Sequence, residues 1–123
     1  MNLLNAHAMN ELKEFMEPNE FMEFIQSAEL KIQHQMPDLL EMIASQQWEN
    51  ARRLAHQLKG TLGSLGCERL YATLHQLEEV LRQAPSSQPQ AHLVTEVVSV
   101  AKATQHALQQ LLGSTFKPRD ASL

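Results

Sequence analysis

The stretch Ala51-Arg52-Arg53-Leu54-Ala55-His56-Gln57-Leu58-Lys59-Gly60-Thr61-Leu62-Gly63-Ser64-Leu65-Gly66 decides how this chain folds. Ala51, Leu54, Ala55, Leu58, Leu62 and Leu65 recur at the 3.6-residue period of an amphipathic helix. At roughly 100° per residue this apolar stripe centres near 340°, measured from Ala51, whereas His56 falls at about 140°. The histidine therefore points away from the core. Trp48 introduces the stripe, and Gly66 ends it as a left-handed cap. Three of the chain's 4 glycines lie within this stretch. Gly60 and Gly63 sit inside the helix, where each costs about 0.8–1 kcal/mol relative to alanine.

Further stripes flank this one. Leu4, Ala8, Leu12 and Phe15 make a short first helix, stopped by Pro18. Phe21, Ile25, Ala28, Ile32, Met36, Leu39 and Ile43 make a long second one, with Asn19 as its expected N-cap. That stripe keeps its phase across Pro37, which predicts a continuous, kinked helix. Cys67, Leu70, Leu74, Leu77, Leu81 and Ala84 form the next helix, and Pro85-Ser86-Ser87-Gln88-Pro89 reads as a loop. Leu93, Val97, Val100, Thr104, Ala107 or Leu108, and Leu111 complete the set, with Gly113 as the expected stop. The fold expected is all-α: an antiparallel up-and-down four-helix bundle with a short extra N-terminal helix closing one end. Residues 1–115 are expected to form one domain and 116–123 a flexible tail.

Composition agrees with that reading. The chain has 123 residues, 43% of them apolar, enough for one core. Leucine occurs 19 times, against 8 for valine and isoleucine together, so strand formers are scarce. Cys67 is the one cysteine, which excludes an intramolecular disulfide. No apolar run approaches the roughly 20 residues of a membrane span, and the N-terminus lacks signal-peptide features. A cytoplasmic setting is expected. The net charge of −4 divides into −7 over residues 1–50 and +3 over residues 51–123. Neither half carries the dense basic stripe of a nucleic-acid binder.

The face around His56 is unusual for the outside of a bundle. Glu49, Arg52, Arg53, Lys59, Gly60 and Gly63 share it. The glycines remove side chains that would stand beside the imidazole, which a closely approaching partner requires. Lys59, three residues on, puts an ammonium within reach of a group bound to His56, and Arg52 and Arg53 add positive potential. A neutral imidazole is a nucleophile, and a neighbouring cation balances charge on a phosphoryl group attached to it.

Ala55-His56-Gln57-Leu58-Lys59-Gly60 through Gly66, followed by Leu70 and Leu77-Glu78, resembles the signature of histidine-containing phosphotransfer (HPt) domains. The resemblance implies that His56 accepts a phosphoryl group from one receiver-domain aspartate and passes it to another. Lys59 would stabilise the phosphoryl charge. Gly60 would admit the receiver's loops, and Gly63 would do likewise and allow close packing. Gln57 and Glu78 are the candidates for a hydrogen bond to the other imidazole nitrogen. Arg52, Arg53, Gln57, Gly60 and Gly63 would form the partner-binding face, with Met22, and less so Phe21 and Ile25, as apolar additions. Two departures stand out: Gln46-Gln47 replaces the usual aspartate cap, and Leu74 a usual small residue.

The expected protein is a monomeric phosphoryl carrier without kinase activity of its own. Its partners would be receiver domains of response regulators and of a hybrid sensor kinase. No cofactor is expected on this chain, with Mg²⁺ supplied by the receiver. The competing reading is a non-phosphorylated bundle adaptor that binds a receiver or kinase domain. His7, His34, His75, His92 and His106 lack metal-ligand spacing, so no metal site is expected. Cys67 reads as a packing residue, although a helix start can lower a thiol pKa. Glu11, Glu14, Glu17, Glu20 and Glu23 read as a solvated acidic face.

Overall fold

The computed structural model describes residues 2–86 and 88–115. It contains α1 (Ala6–Phe15), α2 (Pro18–Ala44), α3 (Trp48–Ser64), α4 (Glu68–Arg82) and α5 (Ala91–Thr115). Helices α2 to α5 pack as neighbours around a ring, α2 on α3, α3 on α4, α4 on α5 and α5 back on α2. Short connections between successive helices make them antiparallel. This is the expected bundle. The expected tail at 116–123 lies outside the described residues.

The core follows the stripes. Ile25, Ile32 and Leu39 of α2 meet Leu58 and Leu62 of α3, Leu70, Leu74 and Leu77 of α4, and Val97 and Leu108 of α5, all fully buried. Ala51 and Ala55 are also fully buried, and their small side chains let the neighbouring helices approach α3 closely. Between Ala107 and Leu108, it is Leu108 that enters the core. Helix α2 runs unbroken through Pro37.

Three local expectations are corrected. Helix α2 begins at Pro18, not after Asn19. Proline suits the first helical position because its missing N–H needs no partner there. The cap is Glu17, whose N–H donates to Glu20 Oε1 at 3.0 Å. Helix α5 continues through Gly113 to Thr115. In α1 the inward face is Met9 and Leu12, continued by Met16 just after the helix, while Phe15 is 88% exposed. The helix is rotated so that Ala8 can rest against Gly66.

That contact ties α1 to the bundle. Gly66 has φ +88°, and the N–H groups of Gly66 and Cys67 donate to the carbonyls of Gly63 and Leu62, both at 3.0 Å. This doubly bonded cap ends α3 and redirects the chain into α4. The Gly66 carbonyl then accepts from Asn5 N–H at 2.8 Å. The Asn5 side chain caps α1 through Ala8 N–H and donates to Glu68 Oε1 at 2.6 Å. A second tie crosses the bundle: buried Glu29 of α2 accepts from the side-chain amides of Gln105 (2.9 Å) and Gln109 (3.0 Å) of α5.

The glycines at the two helix ends should respond oppositely to alanine. A Cβ at Gly66 would take a left-handed backbone and lie 3.2 Å from Ala8 Cβ and 3.3 Å from Asn5 Cβ. Gly66→Ala is expected to cost about 1–2 kcal/mol. A Cβ at Gly113 meets open space in a helix, so Gly113→Ala should gain up to about 1 kcal/mol. Urea unfolding followed by circular dichroism checks both signs.

Candidate functional site

The site is built where α3 lies against α4. His56 is 64% exposed at the side chain, as its position opposite the stripe requires. Its Nδ1 lies 2.9 Å from Oε2 of Glu78, a side chain only 2% exposed on the inner flank of α4. Glu78 is thus the imidazole's partner. Gln57, one residue along α3 and turned about 100° away, remains on the surface. Lys59 Nζ stands 2.7 Å from Glu78 Oε1, an ion pair across the two helices. Arg82, one turn after Glu78, donates to Oε2 at 3.2 Å.

A covered carboxylate needs such company. Burial acts to raise the pKa of Glu78, but hydrogen bonding and charge from Lys59 and His56 outweigh it and hold the carboxyl below its ordinary value. Glu78 is therefore ionised at neutral pH and can only accept. The proton shared with it belongs on His56 Nδ1. The Nε2 lone pair is then the free, outward end of the ring.

The other residues singled out from sequence divide sharply. Gly60 borders open space: a Cβ there would meet nothing within 4 Å. Gly63 serves the close packing expected of it. A Cβ there would lie 2.7 Å from Tyr71 Cδ2, so this glycine makes room for the chain's own tyrosine. Arg52 and Arg53 are not free cations. Arg52 grips Glu49 with two hydrogen bonds, at 3.0 and 2.7 Å, and Arg53 adds a third at 3.2 Å. The Arg52 guanidinium, chiefly by hydrogen bonding, holds the Glu49 carboxyl down to about 2. The positive potential expected of the arginines is thus partly cancelled. Phe21 and Ile25 are core, and Met22 is half-buried.

Sequence reasoning missed Tyr71 and Arg82, and it left His75 as a bystander. Tyr71 and His75 stack with ring centroids 6.5 Å apart and planes 4° from parallel. Lys59 Nζ lies 5.5 Å from the Tyr71 centroid and 3.2 Å from His75 Nδ1. The i, i+4 spacings Tyr71–His75–Glu79 and Glu78–Arg82 were the available signal. A groove of about 1030 Å³ runs from Gly60 and His75 past Tyr71 to Gly66 and Asn5. Cys67 is inert packing, since burial pushes its thiol up to about 12. Among the described residues, no group of three or more His, Cys, Asp or Glu side chains could hold a metal ion. No described helix is long and apolar enough to cross a membrane.

Comparison with known proteins agrees with this geometry. The family model described as the Hpt domain matches residues 20–114, which is α2 to α5 almost entire and leaves α1 outside. Neither the curated proteins nor the solved structures gave a match. Hpt domains are phosphotransfer carriers that act with receiver domains in phosphorelays. A four-helix ring, an exposed histidine backed by a buried carboxylate and a family match over most of the length lead to one conclusion: this chain belongs to the Hpt domain family.

Proposed function

We propose that this chain relays phosphoryl groups between receiver-domain aspartates through His56, and that it has no kinase activity of its own. The observation that carries the reading is the pairing of His56 Nδ1 with buried Glu78 on an imidazole that is 64% exposed, one helical turn before the open space over Gly60. In the forward step the Nε2 lone pair attacks the phosphorus of an aspartyl phosphate. The N–P bond forms as the P–O bond to the aspartate breaks, and the carboxylate leaves with the electron pair. In the return step an aspartate oxygen of a second receiver attacks, and the N–P electrons go back to Nε2. Nδ1–H stays on Glu78 throughout, so the ring needs no other base.

Such transfer depends on positioning and charge stabilisation more than on covalent chemistry by the carrier. The receiver would supply Mg²⁺ and the acidic pocket. This chain would supply the placed imidazole, the Lys59 ammonium and the approach over Gly60. Receivers of a hybrid kinase and of a response regulator are the partners this reading implies, met by a monomer in the cytoplasm.

The direct test is incubation with a radiolabelled phosphorylated receiver and Mg²⁺. Label should appear on this chain in an acid-labile, alkali-stable form, and His56→Gln should abolish it. Transfer that survives in His56→Gln would refute the site. Binding to the receiver without transfer from any donor would point to the adaptor.

Gly60 separates folding from function. Gly60→Ala should stabilise α3 by about 0.8–1 kcal/mol, because no side chain among the described residues occupies the space. The same substitution should slow transfer through a clash with the incoming receiver. Paired urea unfolding and transfer kinetics check the opposed signs.

Glu78 predicts an acid-sensitive fold. Its folded pKa is lowered from an ordinary 4.5, so its contribution is present above that value and lost as pH falls through the folded one. Glu78→Gln should cost about 1–3 kcal/mol at pH 7 by leaving Lys59 without its counter-ion. It should also flatten the stability–pH curve in the acid range. Unfolding midpoints measured from neutral to strongly acid pH would show the two curves converging.

A further inference from the structure

The structure brings a second histidine to the same lysine. Lys59 stands on the outer face of α3, yet its side chain is only 13% exposed. Glu78 Oε1 holds it at 2.7 Å, His75 Nδ1 lies at 3.2 Å, and the Tyr71 ring lies beside it at 5.5 Å. Tyr71 is itself fixed between the His75 ring and the bare backbone of Gly63. This is a cage around one ammonium.

An ammonium has three N–H donors in tetrahedral directions and no acceptor. The Glu78 carboxylate holds one side of the Lys59 ammonium by charge. The N–H toward His75 needs an acceptor there, and only a neutral imidazole with its lone pair on Nδ1 provides one. The proton then sits on Nε2, which faces Glu79 Oε2 at 3.9 Å, and that negative charge favours this tautomer. With Glu78 on one side and His75 on another, the ammonium has one defined seat. Glu78 carries His56 on its other oxygen, so Lys59 and His56 are held one carboxylate apart. The nearby Glu79 carboxylate also makes His75 Nε2 a poor place for a phosphoryl group, so the two histidines are not interchangeable.

We propose that His75 is a positioning residue for phosphotransfer: its neutral Nδ1 holds the Lys59 ammonium in register with His56, and protonation of His75 releases it. Protonation turns Nδ1 from acceptor to donor and sets two cations against each other. The groups facing His75 make this a clean exchange. From α3 the charged neighbour is Lys59. From α4 come the neutral Tyr71 ring, Glu79, shared with Arg82, and, on the far side of Lys59, Glu78. Across the groove α3 presents Gly60, Gly63 and Ser64, which are uncharged, and at its far end Glu68 is bound to Asn5.

The inference rests on the relay reading, and the test keeps the two apart. One phosphorylated receiver serves as donor for every variant, and initial transfer rates are measured across a pH series. His75→Leu removes the acceptor and should slow transfer about tenfold at mildly alkaline pH. His75→Asn keeps an oxygen near the place of Nδ1 without titrating, and should restore most of the rate. The ratio of wild type to His75→Asn should fall with unit slope as pH drops, since titration of the donor and of His56 cancels in the ratio. In a Lys59→Ala background, His75→Leu should have no further effect. A pH-independent ratio, or an equal loss in both backgrounds, would overturn the proposal. If the wild type accepts no phosphoryl group, the relay reading fails, and nitrogen NMR of the free protein still decides the contact. His75 Nδ1 should resonate as unprotonated at neutral pH and shift in Lys59→Ala; a protonated Nδ1 would refute the arrangement.

Discussion

A carboxylate withdrawn from water organises this protein's working face. Glu78 lies on the buried flank of α4, where an unpaired charge is costly. Its two oxygens are met by His56, Lys59 and Arg82. Two of those partners come from α3 and one from α4, so the pairing fixes the register of the two helices as well as the imidazole. Sliding α3 by one turn in one direction would put Gly60 and Gly63 where His56 and Lys59 stand, and leave Glu78 without either partner. Removing one partner of such a pair is far more damaging than replacing the whole set by apolar residues.

The three clustered glycines do separate work. Gly66 takes the left-handed conformation that ends α3 and leaves room for Asn5 and Ala8 of α1. Gly63 gives its space to the Tyr71 ring. Gly60 gives its space to nothing among the described residues. A glycine inside a helix that is neither strained nor crowded weakens the fold with no internal return. Only the last of the three therefore speaks for an external partner, and it does so more clearly once the other two are accounted for.

The helices were legible because period and burial are one-dimensional. Each stripe from Phe21 to Leu111 needed only neighbours in sequence to be read, and the position of His56 opposite its stripe followed. What escaped depends on which side chain meets which across helices. Nothing local says that Tyr71 covers Gly63, or that Gln105 and Gln109 satisfy Glu29. Arg52 and Arg53 read as free cations because the charge count ignores which carboxylate they grip; Glu49 was on the same face throughout. Phe15 fits the first stripe by spacing, but α1 is too short to dictate its own rotation, and the seat of Ala8 on Gly66 decides it. Asn19 lost to Glu17 because the fixed φ of Pro18 belongs inside the helix.

The caging of Lys59 alters the charge argument for the site. From sequence, the lysine is a cation waiting for an anion. In the structure, Glu78 already neutralises it. A phosphoryl group on His56 would bring close to two negative charges at neutral pH. It would meet one ammonium shared with a carboxylate, and three arginines already engaged, Arg52 and Arg53 with Glu49 and Arg82 with Glu79. That balance stabilises the group without trapping it. On the relay reading this is the useful condition, because uniform tight binding would deepen the intermediate and slow its departure. A carrier must release what it accepts, and the buried carboxylate that orients the imidazole also keeps the lysine's attraction within that limit.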